Sequence, residues 1–284
     1  MRFRLFLSVV SLLALCLTGS FTHAQEPLTL AVHPYLPSTE LIRRFTPLAD
    51  YLGREIGRPV IIEISRDYET HVEMTGKNQV DLAFMGPASY VELVERYGRK
   101  PILARLEING KPTFRGVIIT AKDSLLKTLG ELKGKRFAFG DPNSTMSHLV
   151  PRYMMLKAGV KAEDLSGYVF LHNHYNVVLG VLAGDFAAGA VKDEVFYEYE
   201  GRGLRALVWT PPVSHHLFVA SSTLPKRTIG ALREAMYRLR EEKDGPAILS
   251  GIEKGATGMV PAVDGDYENL RVILRALEKA GVQP

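Results

Sequence analysis

Cysteine is almost absent from this chain of 284 residues, because Cys16 is the only one. It lies inside the apolar stretch near the N-terminus, so the sequence beyond that stretch has no thiol chemistry and no disulfide. The folded part must therefore be stabilised by its hydrophobic core, and a chain of this length can bury a sizeable one. Apolar runs long enough for a membrane-spanning helix are absent as well, since the N-terminal run from Leu5 to Leu17 is too short.

The N-terminal segment combines a basic start, a short apolar run and small residues. Arg2 and Arg4 precede the run, and small and polar residues follow it up to Ala24. This pattern predicts a secretory signal peptide over residues 1–24, cleaved after Ala24, and a periplasmic protein. A lipoprotein anchored through Cys16 is the weaker alternative, because the bulky Leu15 precedes that cysteine.

A strong charge of one sign is also lacking. The formal net charge is +4, and removal of Arg2 and Arg4 with the signal peptide reduces it to +2. Acidic and basic residues are interspersed along the chain, and this distribution of charge does not favour a nucleic-acid partner.

Hydrophobic periodicity predicts alternating strands and helices in two series. In the first series we expect strands at 28–32, 60–64, 80–85, 102–108 and 114–121 and helices at 38–56, 68–76 and 88–97. In the second we expect strands at 136–139, 169–171, 188–191, 206–209 and 216–221 and helices at 125–132, 148–158, 176–183, 195–200, 226–242 and 267–280. Asn109-Gly110 predicts a hairpin turn.

This order of elements predicts an α/β protein with mostly parallel sheets, flanked by helices, in two lobes. Lobe 1 would comprise residues 25–118 and 215–284, and lobe 2 residues 119–214. Two hinge strands would join the lobes and leave a cleft between them. The loops after the predicted strands would face that cleft, where open α/β sheets bind ligands.

The turn from Gly140 to His148 is the strongest candidate for a ligand site. A short buried strand precedes it and a helix follows, so the unpaired N–H groups of the first helical turn point at whatever occupies the loop. Ser144, Thr145 and Ser147 add hydroxyl groups to those amides. The pattern fits an anion site, and it equally fits a helix N-cap.

Five short segments, in this order, resemble the periplasmic binding proteins of phosphonate, phosphite and phosphate ABC importers. The segments are residues 44–53 (RFTPLADYLG), 81–90 (DLAFMGPASY), 140–145 (GDPNST), 174–176 (HYN) and 210–213 (TPPV). The resemblance covers nearly all of the chain after the signal peptide. It implies the type II fold, with two α/β lobes and two hinge strands, and a small oxyanion bound by hinge closure.

The resemblance also implies ligand-binding positions. Tyr68 matches the family's anion-binding tyrosine, Ser144 and Thr145 match two places of its Ser-Thr-Ser run, and His174 matches its histidine. Met146 stands at the third place of that run, and Ser147 follows it as a further donor. Met85 stands where the family often has tyrosine, and His216 stands where it has an acidic residue.

The changed positions bear on the ligand. Loss of the carboxylate removes the partner for the amine of aminoethylphosphonate, and a protonated His216 would instead favour a more negative oxyanion. Two histidines with Met85 and Met146 would also suit a soft metal such as Cu(I), although methionines more often fill apolar space. Tyr35, Tyr90 and Asp193 are further candidates for the edge of the pocket.

An enzyme is the alternative class of function. Ser144, Asp141 and a histidine are the residue types of a nucleophilic triad, but the Gly-x-Ser-x-Gly and His-Glu-x-x-His motifs are missing from the sequence. We therefore expect a binding protein without catalysis, cofactor or metal. Its partner would be an ABC transporter permease or a sensor kinase, and a monomer is the simplest state for a hinge-closing receptor.

Overall fold

The computed structural model describes residues 26–282. The strands are β1 (Leu28–Val32), β2 (Val60–Ile64), β3 (Leu82–Met85), β4 (Ile102–Ile108), β5 (Thr113–Phe114), β6 (Gly116–Ala121), β7 (Arg136–Phe139), β8 (Gly167–Phe170), β9 (Ala188–Lys192), β10 (Leu204–Trp209), β11 (Val213–Ser214), β12 (Leu217–Ala220) and β13 (Ala256–Val260). The α-helices are α1 (Ser38–Ile56), α2 (Tyr68–Gly76), α3 (Pro87–Tyr97), α4 (Val150–Lys157), α5 (His174–Leu182), α6 (Asp193–Tyr199), α7 (Lys226–Arg238), α8 (Gly245–Ile252) and α9 (Glu268–Lys279).

Two sheets form the body of the protein. The first has six strands in the order β13-β4-β12-β3-β1-β2, and the second has five in the order β10-β6-β9-β7-β8. Helices cover both sheets, as the predicted α/β class requires. None of the helices in residues 26–282 combines the length and apolar character needed to cross a membrane.

The sheets are mixed, whereas the sequence predicted mostly parallel ones. In the first sheet β1 pairs in parallel with β2 and β3, and in the second β7 pairs in parallel with β8 and β9. Strands β6 and β12 enter their sheets from the crossing segments, and they pair antiparallel with β9 and β3. A strand that arrives from the opposite sheet enters at the end where the parallel strands finish, so it must run against them.

Two crossings connect the sheets, and they pair with each other. Between β4 and β6 the chain passes through β5, and between β10 and β12 it returns through β11. Val213 faces Phe114 and Ser214 faces Thr113 in an antiparallel ladder. The predicted lobe boundary at residue 118 is wrong in detail, because it falls inside β6, which pairs only with β9 and β10. The sheets change over in residues 109–115 and 210–216.

The long helix α1 shows why the sequence prediction worked where periodicity was strong. Leu41, Phe45, Leu48 and Leu52 recur at helical spacing, and all four are fully buried against the first sheet. Gly57 ends the helix with φ at 66°, a left-handed conformation that glycine adopts without steric cost.

One predicted element was wrong, and two others differ from the structure in detail. Residues 125–132 form only a 3₁₀ turn from Leu129 to Leu132, because Thr128 caps that turn in an extended conformation. The predicted helix at 148–158 begins earlier, with a π-helical turn at Thr145–Leu149 that continues into α4. Asn109 and Gly110 form the expected turn, both with positive φ, but the hairpin is one bridge from Ile108 to Lys111.

Helix α8 and strand β13 were not predicted from the sequence. Pro246 at the start of α8 is a recognised start signal, but the helix is short and contains Gly251. Strand β13 contains Gly258 and forms by pairing with β4 at the sheet edge. Its strand character therefore depends on a partner distant in the sequence.

Candidate functional site

A small cavity lies between the two sheets, with about 230 Å³ of space between its atoms. Elements of both sheets line it: His33, Tyr68, Gly86, Phe114, Ser144, Thr145, Met146, His174, Lys192 and His216. We call it the cleft cavity. The figure of about 230 Å³ includes space open to solvent, and the part that a water-sized sphere can occupy is only about 10 Å³, room for about one water molecule.

Four helices begin at the cleft cavity. Tyr68 starts α2, Gly86 precedes α3, Ser144 caps the π-helical turn that leads into α4, and His174 starts α5. Each helix follows a parallel strand, so its N-terminus lies at the carboxyl end of the sheet. The unpaired N–H groups and the positive ends of four helix dipoles thus converge on one small space.

The turn Thr145–Leu149 and its cap Ser144 form the lobe 2 face of the cavity. We call these residues the Ser144 turn. The Ser144 hydroxyl oxygen accepts a bond from the Ser147 N–H at 3.2 Å, and the Ser144 carbonyl accepts from the N–H groups of His148 and Leu149. This widened turn leaves the N–H groups of Thr145 and Met146 as the first ones, which lack a partner within the helix.

Two hydroxyl contacts tie the Ser144 turn to the opposite sheet. Thr145 Oγ1 accepts a bond at 3.0 Å from the N–H of Ala88, in the first turn of α3. The Ser144 hydroxyl lies beside the phenol of Tyr68, and both side chains line the cavity. Burial raises the pKa of Tyr68 well above its ordinary value, and the Asp141 carboxylate acts in the same direction. Tyr68 therefore keeps its proton and can donate it to a ligand.

His174 presents a hydrogen-bond donor to the cavity. Its Nδ1 accepts a bond at 3.1 Å from the backbone N–H of Lys192, so the proton of the neutral ring sits on Nε2. Burial, together with the positive charge of Lys192, lowers the pKa of His174 to about 3. The ring is then neutral at physiological pH.

His33 and His216 stack against each other beside the N-terminus of α3. Their ring centroids are 5.3 Å apart and the planes differ by 14°. A methyl group built on Gly86 would lie 3.6 Å from Nε2 of His33 and 3.9 Å from Nε2 of His216. The buried hydroxyl of Ser89, also 3.9 Å from that point, has no hydrogen-bond partner among residues 26–282. These polar atoms all face the space that the missing side chain leaves.

Lys192 brings a positive charge to the cavity wall. Its Nζ lies 2.5 Å from Glu253 Oε2 and 3.4 Å from Glu194 Oε2, and it faces the rings of Tyr35 and Phe114 at 5.6 Å. Burial alone would lower the pKa of Lys192, but the two carboxylates outweigh it and the net direction is upward. Lys192 therefore stays charged.

The pair of Lys192 and Glu253 belongs to a buried network that crosses the cleft. Arg44 on α1 lies 2.5 Å from Glu194 on α6, so a second ion pair joins the two sheets. Burial raises the pKa of Glu253, but Lys192 and then His215 pull it down to about 2. The His215 Nε2 lies 3.4 Å from Glu253. With these contacts formed, the two halves are closed on each other.

The structure brings together six of the eight principal residues that the sequence predicted. They line the cavity from both sides: Tyr68, Ser144, Thr145, Met146, His174 and His216. Their role in binding stays a prediction, whereas their proximity follows from the fold.

Met85 and Ser147 do not reach the cavity. Met85 is fully buried in the apolar cluster behind β3, because side chains alternate along the strand and Phe84 takes the face toward His216. The Ser147 hydroxyl donates to the Ala190 carbonyl at 2.6 Å and packs against Gly140, where a methyl would approach it to 2.4 Å. Ser147 thus fastens the turn to β9.

The three edge candidates also lie away from the cavity wall. Tyr35 lies just behind it, stacked on His33 at 4.8 Å. Tyr90 is buried beneath α3 and donates to Asp264 at 3.0 Å. Asp193 accepts from the N–H of Arg115 at the outer rim, so the neighbouring Lys192 lines the cavity instead. Strand β9 extends one residue further than predicted, to Lys192, and Asp193 is already the first residue of α6.

The predicted protonation of His216 is wrong. Burial lowers the pKa of His216 well below its ordinary value, and Lys192, His215, His33 and His174 lower it further. A neutral His216 supplies no charge, so the positive charge at the cavity comes from Lys192.

Sequence reasoning placed Lys192 and Gly86 at the cleft without counting them among the ligand-binding residues, and it did not single out Phe114 or Ser89. Gly86 and Ser89 stood within a segment that carried the family resemblance, so a signal existed there. Phe114 reaches the cavity because strand β5, in the crossing segment, passes beside the cavity. No local sequence pattern predicts that path.

The contacts do not assemble a hydrolytic triad. Among the described residues, the Ser144 hydroxyl accepts from the Ser147 N–H, and Asp141 accepts from the N–H of Asn143 within its own loop. His174 has its Nδ1 on the Lys192 N–H, so no carboxylate orients it. Within residues 26–282 no group of three or more His, Cys, Asp and Glu side chains is placed to hold a metal ion.

Comparison with known proteins places this geometry in a family. The family model described as "ABC transporter, phosphonate, periplasmic substrate-binding protein" matches residues 30–267. The chain is 28% identical to the phosphate-import protein PhnD of Mycolicibacterium smegmatis, over 87% of this chain and 84% of that protein. It is 26% identical to a probable ABC transporter phosphite binding protein PhnD1 of Prochlorococcus marinus, over 84% and 86% of the two chains.

A solved structure shows the same fold. The structure of PhnD1 from Prochlorococcus marinus in complex with methylphosphonate superposes with a TM-score of 0.82 and 24% identity, covering 89% of this chain and 99% of that one. The likeness confirms the predicted type II arrangement of two sheets with crossing strands.

Proposed function

The chain belongs to the family of periplasmic substrate-binding proteins of phosphonate ABC transporters, and on that premise we propose that its cleft cavity binds one small phosphorus oxyanion. The observation that carries the proposal is the convergence of four helix N-termini, with Ser144, Thr145 and Tyr68, on one small space between the two sheets. Helix N-termini bind anions through their free N–H groups and their dipoles.

The donors suit a tetrahedral anion because they come from opposite sides. The Ser144 turn offers amides and the Thr145 hydroxyl from one sheet, and Tyr68 offers its phenol from the other. His174 adds Nε2–H, and Lys192 adds a positive charge. An oxyanion held between both sets would connect the two lobes.

Hinge closure is the proposed mechanism. The lobes would separate at the paired crossings, residues 109–115 and 210–216, and a ligand that bonds to both lobes shifts the equilibrium toward the closed form. The closed form would then be presented to the membrane permease. We propose a monomer, as expected from the sequence. The predicted signal peptide, residues 1–24, lies outside the described residues.

A transport role is favoured over the alternatives. The family is one of transporter components, which speaks for a permease rather than a sensor kinase as partner. Catalysis is not part of the proposal, because Ser144 and the histidines make no nucleophile–base contact among the described hydrogen bonds.

Calorimetric titration of the mature protein tests this function. The ligands are phosphate, phosphite, methylphosphonate, aminoethylphosphonate and sulfate. We expect saturable binding of at least one phosphorus oxyanion. The double variant Ser144→Ala, Thr145→Ala should weaken it by tens to thousands of fold, at roughly 1.5–3 kcal/mol for each hydrogen bond to a charged group.

The matched control is Ser124→Ala with Thr128→Ala. This pair removes the same two hydroxyl groups near the 3₁₀ turn of the second sheet, away from the cleft cavity. Its affinity should equal that of the wild type. If both double variants bind equally well, the Ser144 turn is not the anion site.

A further inference from the structure

His33 is a buried histidine whose tautomer is fixed by a single bond. It follows β1, is 1% exposed, and its Nδ1 lies 3.0 Å from the carbonyl oxygen of Phe84. A carbonyl oxygen only accepts, so Nδ1 must carry the hydrogen. In the neutral ring the other nitrogen, Nε2, then carries a lone pair and acts as an acceptor.

That lone pair is aimed at the cleft cavity. His33 lines the cavity, and its Nε2 lies 3.6 Å from the point where a side chain of Gly86 would begin. Among the described hydrogen bonds of residues 26–282, Nε2 takes part in none, whereas Nδ1 has its partner on β3. The available acceptor thus faces the space proposed for the ligand.

The surroundings keep the ring neutral. The titratable groups that face it are His71 and Tyr68 on α2, Tyr35 after β1, His216 before β12, His174 on α5 and Lys192 on β9. Burial lowers the pKa of His33 well below its ordinary value, and the positive charge of Lys192 acts in the same direction. The hydrogen bond to the Phe84 carbonyl raises the pKa of His33, but burial outweighs it and the net direction is downward.

This acceptor stands among donors. The Ser144 turn offers N–H groups, Tyr68 a hydroxyl, His174 an N–H and Lys192 an ammonium group, whereas Nε2 of His33 offers only electrons. A fully ionised oxyanion has no hydrogen to give, so one of its oxygens would face this lone pair without a bond. A buried pair of acceptors with no hydrogen between them is unfavourable.

We propose that Nε2 of His33 accepts a hydrogen bond from a hydroxyl on the bound ligand, so that the cleft cavity selects the singly charged, protonated form of a phosphorus oxyanion. The inference rests on the proposed function and deepens it. Nε2 of His33, an uncharged acceptor, would then recognise the ligand proton in place of the acidic residue that His216 replaces. Methylphosphonate, phosphite and phosphate all have such a form near neutral pH, and sulfonates do not.

The first test compares two ligands of the same shape and charge. Methylphosphonate monoanion carries one P–OH group, and methanesulfonate has three unprotonated oxygens. At about pH 6.5 we expect methylphosphonate to bind about ten- to a hundredfold more tightly, the effect of one hydrogen bond gained or one acceptor left unpaired. Equal affinities would overturn the proposal.

The second test counts protons. At about pH 8.5 methylphosphonate is mostly a dianion in solution, so selection of the monoanion requires uptake of one proton for each ligand bound. Histidines are neutral at that pH in the open and the closed form and contribute none. Calorimetry in buffers of different ionisation enthalpy measures the uptake. A value near one is expected, and a value near zero overturns the proposal.

The variant His33→Phe keeps an aromatic ring against Phe84 and His216 and removes the acceptor. We expect the preference for methylphosphonate over methanesulfonate to fall toward one. Thr120→Val is the control, because it removes a buried polar group outside the cleft cavity, where the Thr120 hydroxyl donates to the Ala187 carbonyl at 2.7 Å. This control should leave the ratio of the two affinities unchanged.

The outcomes separate this inference from the proposed function. A wild-type protein that binds none of the phosphorus oxyanions contradicts the function itself. A protein that binds methylphosphonate without proton uptake and without preference over methanesulfonate retains the function and loses the role of His33. Because both wild-type tests need no variant, a His33→Phe protein that fails to fold does not remove the means of refuting the inference.

Discussion

At the scale of single residues, Gly86 decides how much room the cavity has. Its backbone lies at φ −68° and ψ 152°, which any residue can adopt, and an added methyl would meet nothing closer than 3.6 Å. Glycine is therefore needed at position 86 for the space that it leaves in the cavity and not for its backbone conformation.

Gly86→Ala should consequently separate binding from folding. We expect the melting temperature without ligand to change little, while oxyanion affinity falls at least tenfold, because the methyl occupies the position between His33, His216 and Ser89. Gly130→Ala, which also adds a methyl in open space, is the control. Unchanged affinity in Gly86→Ala would place the ligand elsewhere.

Ser144 and Ser147 show the limit of sequence analysis at this scale. Both are hydroxyl residues of one turn, and only the fold directs the first to the cavity and the second to the Ala190 carbonyl. Ser147→Ala should therefore lower the free energy of unfolding by about 1 kcal/mol, the value of one neutral hydrogen bond, and leave oxyanion affinity within about twofold. Urea unfolding and calorimetry measure the two quantities, and a large loss of affinity would contradict this assignment.

At the scale of secondary-structure elements, the site depends on where strands end. Each parallel strand that leads into a helix delivers a helix N-terminus to the cleft, so the strand–turn–helix order at β2, β3, β7 and β8 was enough to predict the loops of the site. The same order could not show the ion pairs between elements, because Lys192 on β9 and Glu253 after α8 are 61 residues apart.

The pair of Lys192 and Glu253 is expected to stabilise closure. Glu253→Gln keeps the size of the side chain and leaves the buried Lys192 short of one charged partner. Such a loss typically costs about 3–5 kcal/mol. The cost to the closed form cannot exceed the free energy of opening the cleft, because opening lets water hydrate Lys192. Without ligand, we expect a lower melting temperature and a larger radius of gyration by X-ray scattering. Saturating oxyanion should restore part of both, because it supplies negative charge beside Lys192.

An exposed ion pair provides the control for this prediction. Glu268 and Arg275 lie 2.5 Å apart, with about half of each side chain exposed. Glu268→Gln should change stability by less than about 1 kcal/mol, since water screens such pairs. If Glu253→Gln behaves like Glu268→Gln, the buried pair does not stabilise the closed form.

At the scale of the whole molecule, closure buries three neutral histidines, His33, His174 and His216. Their pKa values are lowered in the closed form, that of His174 to about 3, whereas hydrated histidines have pKa values near 6.5. The open form therefore binds more protons than the closed form below about pH 6.5. The stability of the closed form is complete above that pH and is lost as the pH falls toward about 3.

Acid should thus open the cleft. Each histidine contributes up to about 1.4 kcal/mol per pH unit in this range. X-ray scattering of the ligand-free protein between pH 7.5 and pH 4.5 should show an increasing radius of gyration while far-ultraviolet circular dichroism is retained. In His216→Phe, whose ring can stack on the same aromatic neighbours, the pH dependence should be shallower by one proton. A radius that stays constant would contradict the proposed opening.

The sequence by itself determined most of the order of strands and helices, the α/β class and the loops that form the cavity. These features depend on local periodicity, on caps and on the rule that parallel strands end at one edge, so neighbouring residues carry the information. The long helix α1 and the strand β1 were predicted to the residue.

Only the tertiary structure decided which side chains face the ligand space and what charge they bear. The side that Met85, Ser147 and Asp193 face depends on strand register and on packing against distant elements. The protonation of His216 depends on burial and on Lys192, and the tautomer of His33 on the Phe84 carbonyl. Burial and electrostatic contacts arise between residues far apart in the chain, so no local pattern can encode them.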